Sequence, residues 1–335
     1  MNGNIRSVVA CLAVIQVVVL PFIGLVAEAQ PRGEVKLLAL GDVNLGRAVG
    51  QEILKGDTLY PFAAALDTLA SYDLVFANLE SNLSDQGGET QDPRNNLIFT
   101  GPPAGAWSLR KAGVGVVSIA NNHAMDYGEQ AHRETRAYLG SAGVPYAGDP
   151  PDSTGICRPA IVTKNGIRMA FFGVTEFVND NPRGWRKVVA EADTAPLLRG
   201  IRWYRDSVDF IIVSIHGGNE YADRPSAGMR KFSRAVLDGG ADLILGHHPH
   251  VPQGIEERQG KLIVYSLGNF VFRQPFRYWT QRSIAVAVEI VKEAGRGAIA
   301  HWRCLPVLTG FQPRFVPAGA EADTIAERIR KLSLW

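Results

Sequence analysis

The sequence predicts an α/β fold in one large domain, and two regularities predict it. Short apolar runs of strand length alternate with stretches of helical spacing along most of the 335 residues. Five of those apolar runs end in a residue that can bind metal or move a proton. Composition agrees with a folded globular chain. The formal net charge of +2 is too even to argue for nucleic acid or an anionic membrane surface as partner. No internal repeat, low-complexity tract or proline-rich linker divides the chain.

In order along the chain, Arg6 precedes an apolar run over 7–27, broken only by Gln16 and Pro21, and Ala27-Glu28-Ala29 has the small-x-small pattern of a signal-peptidase site. Residues 1–29 therefore read as an export signal cut after Ala29, or as an uncleaved N-terminal anchor. Both place the domain over 30–335 outside the cytoplasm, secreted or anchored. Cys11 lies in that segment. Cys157 and Cys304 remain, which suits either a bridge in an oxidising compartment or two buried thiols.

Val35–Leu40 reads as the first strand, Leu59–Ser71 as a helix and Asp73–Leu79 as a second strand. The polar stretch Ser81–Thr100 is a loop, Ala104–Ala112 a helix, Val114–Ala120 a third strand and Tyr127–Ala142 a helix closed by Gly143. Met169–Val174 is a strand, Asn179–Val189 an irregular basic stretch with Trp185, and Ala195–Asp206 a helix. Asp209–Ile215 is a strand, Ser226–Asp238 a helix and Ala241–Leu245 a strand. Lys261–Phe270 and Ile284–Val291 read as strands in an antiparallel arrangement, and Thr324–Leu334 as a closing amphipathic helix.

The stretch Gly246–Gln253, Gly-His-His-Pro-His-Val-Pro-Gln, holds three of the seven histidines. Neutral imidazole is a good ligand for transition metals. In an extended segment residues i and i+2 face one side, so His248 and His250 face one site while His247 points away, and Pro249 limits the wobble between them. The other strand ends give Asp42, Glu80, Asn122 with His123, and His216. Sites in open α/β sheets form outside the carboxyl ends of the strands; if the five strands share a sheet, these residues meet along one edge. Two carboxylates, an amide oxygen and three imidazoles are too many donors for one tetrahedral zinc and suit two divalent transition-metal ions sharing a carboxylate. Manganese, iron and zinc all fit. His123 sits beside the ions as a proton donor to a leaving oxygen, or serves structurally. Arg47 either grips a phosphate or carboxylate or is a surface residue. Tyr221 and Glu220 contact substrate or pack the loop. Asn269-Phe270 closes a turn, and His132 and His301 are surface or packing residues.

Six motifs then occur in order: Gly41-Asp42-Val43-Asn44-Leu45-Gly46-Arg47, Asn78-Leu79-Glu80, Ser118–His123, His216–Tyr221, Gly246–Gln253 and Tyr265–Phe270. Together they resemble the CapA family, linked to bacterial capsule and poly-γ-glutamate synthesis, within the calcineurin-like metallophosphoesterase superfamily. The resemblance runs from about Val35 to Phe272. It implies a four-layer α/β/β/α sandwich, with Asp42, Glu80, Asn122, His216, His248 and His250 as metal ligands and His123 as general acid. Two positions depart from the superfamily: Asn44 stands where it usually has His, and Glu80 where it has the bridging Asp. Asn44 is then a weak ligand, and it joins Arg47 and Tyr221 on the substrate side.

Two functions follow. The first is a metal-dependent hydrolase acting on a phosphoester or an anionic capsule polymer. The second is a non-catalytic accessory that binds the polymer or membrane-bound capsule synthesis proteins. A dinucleotide-binding enzyme is a weak third reading, because Gly41–Gly46 lacks the Gly-x-Gly-x-x-Gly turn.

Overall fold

Strand β1 (Glu34–Val43) shows how the layers arise. Alternate residues of a strand point to opposite faces: Val35, Leu37 and Ala39 enter one core, Leu38 and Leu40 another. A strand buried on both faces needs cover on both, so β1 belongs to an inner layer.

The computed structural model describes residues 33–85, 97–293 and 295–333. The leader or anchor expected over 1–29 lies outside the described residues, as does part of the loop predicted over 81–100. After β1 come α1 (Arg47–Leu54), α2 (Leu66–Ala70), β2 (Leu74–Leu79), β3 (Asn82–Leu83), β4 (Thr100–Gly101), α3 (Gly105–Lys111), β5 (Val114–Ser118), α4 (Gly128–Ala142) and β6 (Tyr146–Ala147). The second half has β7 (Ala160–Lys164), β8 (Ile167–Thr175), α5 (Thr194–Tyr204), β9 (Phe210–His216), α6 (Ala227–Asp238), β10 (Leu243–His247), β11 (Ile255–Arg258) and β12 (Lys261–Val264). The chain closes with β13 (Arg282–Glu293), β14 (Arg296–Leu308), β15 (Arg314–Phe315) and α7 (Ala320–Leu332).

The strands form two main sheets, ordered β15-β14-β13-β1-β2-β5-β6 and β11-β12-β10-β9-β8-β7. β1, β2 and β5 run parallel, as do β8, β9, β10 and β12. Leu37, Phe76, Phe171, Phe210 and Leu245 meet in the core between the sheets. Ala106 and Leu109 of α3 and Leu139 of α4 cover the outer face of the first sheet. Leu197 and Ile201 of α5 and Val236 and Leu237 of α6 cover the second. The fold is the four-layer α/β/β/α sandwich. Among the described residues no helix is long and apolar enough to cross a membrane.

Three expectations change. The five strands that end in site residues are divided: β1, β2 and β5 lie in one sheet, β9 and β10 in the other. Lys261–Phe270 and Ile284–Val291 do not pair. β12 stops at Val264 beside β10, whereas β13 runs antiparallel to β1 and β14. Beyond Val264, Gly268 takes a left-handed turn (φ 75°), and the residues around it bond to the end of β1. The predicted helix over 59–71 is a 3₁₀ turn, Tyr60–Ala65, opened by Pro61 and followed by the short α2. Cys157 and Cys304 are free thiols in different cores.

Candidate metal centre

Parallel strands deliver their carboxyl ends to one side, and here two stacked sheets do so together. A strap over 265–271 stitches them. The Asp42 amide donates to the Gly268 carbonyl (3.0 Å) and the Phe270 amide to the Asp42 carbonyl (2.8 Å), while the Leu267 amide donates to the Gly246 carbonyl on β10 (3.0 Å). Close approach requires glycine on both sides. A Cβ on Gly41 would collide with the Gly268 carbonyl oxygen, and one on Gly246 with that of Tyr265. The glycines of the Gly-Asp and Gly-His-His motifs are thus packing requirements that bring the next residue into the site.

Asp42 is fully buried. Its Oδ1 accepts from Asn78 Nδ2 (2.9 Å) and lies 3.1 Å from His247 Nδ1; Oδ2 lies 3.4 Å from His250 Nδ1. Burial pushes this carboxyl up, but the imidazoles of His247 and His250 outweigh it and hold Asp42 well below the usual carboxylate range. His247 therefore points inward, against expectation. The premise of an extended segment fails because His248 and His250 both have positive φ (96° and 59°), which breaks the two-residue alternation. Non-glycine residues in such strained conformations gather at functional sites.

Asn78 also reaches His216 Nδ1 (3.2 Å), and His216 Nε2 lies 2.7 Å from Asn122 Oδ1, whose amide nitrogen donates to Asn179. Burial drives His216 well below its ordinary value and lowers His248 to about 3, so both candidate rings are neutral at pH 7. His250 Nδ1 is 2.9 Å from Asn269 Oδ1, which turns Nε2 toward the centre. Asn269 is held in turn by the Thr280 carbonyl (3.0 Å). It does more than close a turn: it orients a candidate ligand.

Glu80 lies at the middle. It is fully buried, and neither carboxylate oxygen has a hydrogen-bond partner. The Nε2 atoms of His216, His250 and His123 surround Oε1 at 3.7, 3.8 and 3.9 Å. Burial, then the charge of Asp42, pushes the Glu80 carboxyl well above its ordinary range. An unpaired buried carboxylate is costly, and so are the unpartnered Asn78 Oδ1, His247 Nε2 and His248 Nδ1 nearby. A cation would satisfy such a set. Two donor groups, Asp42–Glu80–His250 and Glu80–His216–His248, share Glu80; Glu220–His248–His250 forms a third. Oxygen and imidazole donors without thiolate fit divalent transition metals.

His123 borders this centre. Its Nδ1 lies 2.6 Å from Asp126 Oδ2, and its ring stacks on Phe99 at 3.9 Å. A carboxylate only accepts, so Asp126 fixes a proton on Nδ1 and leaves Nε2 facing Glu80. The sequence reading missed Asp126, although a carboxylate three residues after a candidate histidine was a signal. A cavity of about 650 Å³ opens here, lined by Phe99, His123, Asp126, Tyr221, His250 and Phe272 among others.

The substrate-side candidates are spread out. Tyr221 lines this cavity, its ring 6.2 Å from His250. Asn44 and Arg47 instead line a second cavity of about 160 Å³ with Phe272 and Arg273. Asn44 Oδ1 accepts from the Gly46 amide (2.8 Å), so that oxygen serves its own turn. His132 is buried packing, and His301 is exposed on β14.

The family model described as "Bacterial capsule synthesis protein PGA_cap" matches residues 36–274. The chain belongs to the PGA_cap family. The PGA_cap match includes every candidate ligand and the strap. The chain is 30% identical over 264 residues to the PGA biosynthesis protein CapA of Bacillus subtilis, covering 77% of this chain and 68% of that protein. It is 29% identical over 257 residues to the capsule biosynthesis protein CapA of Bacillus anthracis, covering 75% of this chain but only 62% of that one. A solved calcineurin-like phosphoesterase, YfkN from Bacillus subtilis, superposes with a TM-score of 0.46 at 14% identity, over 90% of this chain and 97% of that one. That likeness is weak, and the fold rests on the sheet order itself.

Proposed function

We propose that this PGA_cap chain acts in the synthesis of an anionic capsule polymer, poly-γ-glutamate, as a metal-dependent hydrolase. The carrying observation is Glu80, a buried carboxylate without a hydrogen-bond partner, ringed by imidazole nitrogens at 3.7–3.9 Å. Asp42, Glu80, Asn122, His216, His248 and His250 would hold two divalent ions. Such ions supply concentrated positive charge that stabilises an oxyanion developing during hydrolysis. Asn78 and Asn269 orient His216 and His250. His123, as an imidazolium whose Nδ1 proton is held by Asp126, would give its Nε2 proton to the leaving group and remain as the neutral Nδ1–H ring. Tyr221 contacts substrate at the cavity wall. A phosphoester is the second substrate class. Residues 1–29 export the chain or anchor it outside the cytoplasm, beside membrane-bound capsule synthesis proteins.

The alternative is an accessory that binds the polymer without turnover. The internal use of the Asn44 oxygen favours it, because one donor is then lost from the centre. One experiment separates the two: elemental mass spectrometry of the full chain, followed by incubation with poly-γ-glutamate and with a phosphoester. The hydrolase reading expects close to two ions per chain, their loss in His248→Ala/His250→Ala, and turnover falling about 100-fold in His123→Ala. Bound metal with no product from either substrate favours the accessory. A folded chain that takes up no metal defeats both uses of the centre.

A further inference from the structure

The 650 Å³ cavity at the centre presents an anionic substrate with a difficulty. Among the described residues its lining contains Asp126, Asp180 and Glu220 but no lysine or arginine. A polymer carrying a carboxylate on each unit could place its reacting bond there, but its neighbouring charges would find counter-charge only beyond the lining, where Arg277 lies 4.5 Å from the centre of the Tyr221 ring. A pair of arginines lies behind Phe272. That ring lines both cavities, and the smaller one, about 160 Å³, is also lined by Arg47 and Arg273.

Both guanidinium groups are set by aromatic rings. Arg47 lies 5.6 Å from the centre of Phe99, the ring on which His123 stacks at 3.9 Å, and Arg273 lies 5.6 Å from the centre of Phe311. Phe99 thus touches both the proton donor and the first arginine. Arg47 is held with φ of 56°, a conformation a non-glycine residue adopts only when its surroundings impose it. The first turn of α1 borders the same cavity and contains no acidic residue, which leaves the local field positive. Planar guanidinium forks match carboxylates in two-point geometry.

We propose that the Arg47–Arg273 cavity is a carboxylate subsite that holds a flanking unit of a repeating polycarboxylate while the adjacent unit occupies the metal centre. This rests on the polymer reading above and adds a residue-level basis for preferring a polymer to a single anion. Contacts at both places act as linked sites, so affinity rises with chain length. Because the arginines act through charge, affinity also falls with salt.

The test is binding of fluorescent γ-linked glutamate decamers, against free glutamate, to the metal-loaded full chain and to its Arg273→Gln and Arg47→Gln/Arg273→Gln variants. Arg273 is exposed, so its variant folds even if the double variant does not. Metal content and thermal midpoint are measured on the same samples. The expected result is decamer affinity at least 10-fold above that of glutamate in the native chain. It falls about 10-fold in the variants, with a shallower salt dependence and unchanged metal content. Unchanged decamer affinity in both variants overturns the subsite. Equal loss for a polyphosphate of matched charge overturns the carboxylate assignment. Chain-length dependence that survives without turnover of any substrate keeps the subsite and removes only the hydrolase reading.

Discussion

At the scale of single residues, the cost of burying Glu80 marks it as the centre of the candidate site. A neutral isostere removes the buried charge but keeps its volume. We expect Glu80→Gln to raise the thermal midpoint of the metal-free chain, by the equivalent of about 1–3 kcal/mol, and to abolish metal uptake. Calorimetry of chelated samples beside elemental analysis reads both, and a metal-free midpoint that drops would show the carboxylate to be structurally required. His132 gives a pH signature away from the centre. Its Nε2 is buried without a partner, and burial, then the charge of Arg136, lowers it to about 4 from 6.5. The unfolded chain therefore binds the proton first. Stability from the neutral ring is complete above pH 6.5 and is lost as pH falls toward 4, at most about 3 kcal/mol. His132→Leu should flatten the stability profile over that window in urea titrations at a series of pH values, and an unchanged slope would contradict the assignment. Asp42, Glu80, His216 and His248 were legible as strand-end residues. His247 was not, because its direction depends on left-handed backbone at His248 and His250 that no hydropathy pattern signals. Asn78 and Asn269 were hidden for another reason: a ligand's hydrogen-bond support comes from residues distant in sequence, 138 positions away for Asn78 and His216.

At the scale of elements, strand order and glycine placement do most of the positioning. Gly246 has no room for a methyl group against Tyr265. Gly246→Ala should force β10 and the strap apart, cost at least about 2 kcal/mol and reduce metal content together with stability. A variant of native midpoint and full metal loading would show the contact to be yielding. The carboxyl-end rule located the site from sequence because it follows from parallel strand geometry. It could not assign the five strands to sheets. β1 and β10 are both apolar on both faces, so the pattern that marks a strand as inner does not say which inner layer holds it. Helix α1 and strand β14 escaped the sequence reading: α1 is only eight residues long, and β14 is largely exposed along one face.

At the scale of the whole molecule, each half of the chain holds part of the ligand set. Asp42, Glu80 and Asn122 come from the first sheet and His216, His248 and His250 from the second, so bound ions would add to the apolar packing, the strap and the buried hydrogen bonds that already join the layers. Metal should therefore act as a cross-layer clamp. Chelation is expected to lower the unfolding midpoint measurably, since a ligand present at about 1,000 times its Kd adds about 4 kcal/mol. Differential scanning fluorimetry with and without chelator checks this, and coincident curves would show that the ions contribute nothing to holding the layers. The strap over 265–271 carries a different implication, for the order of events during synthesis. The first three ligands emerge from the ribosome well before His216, and the segment that fixes the spacing between the sheets emerges after all of them. A chain made only as far as β9 thus lacks His248 and His250, and any loading with metal would wait until the strap has been made.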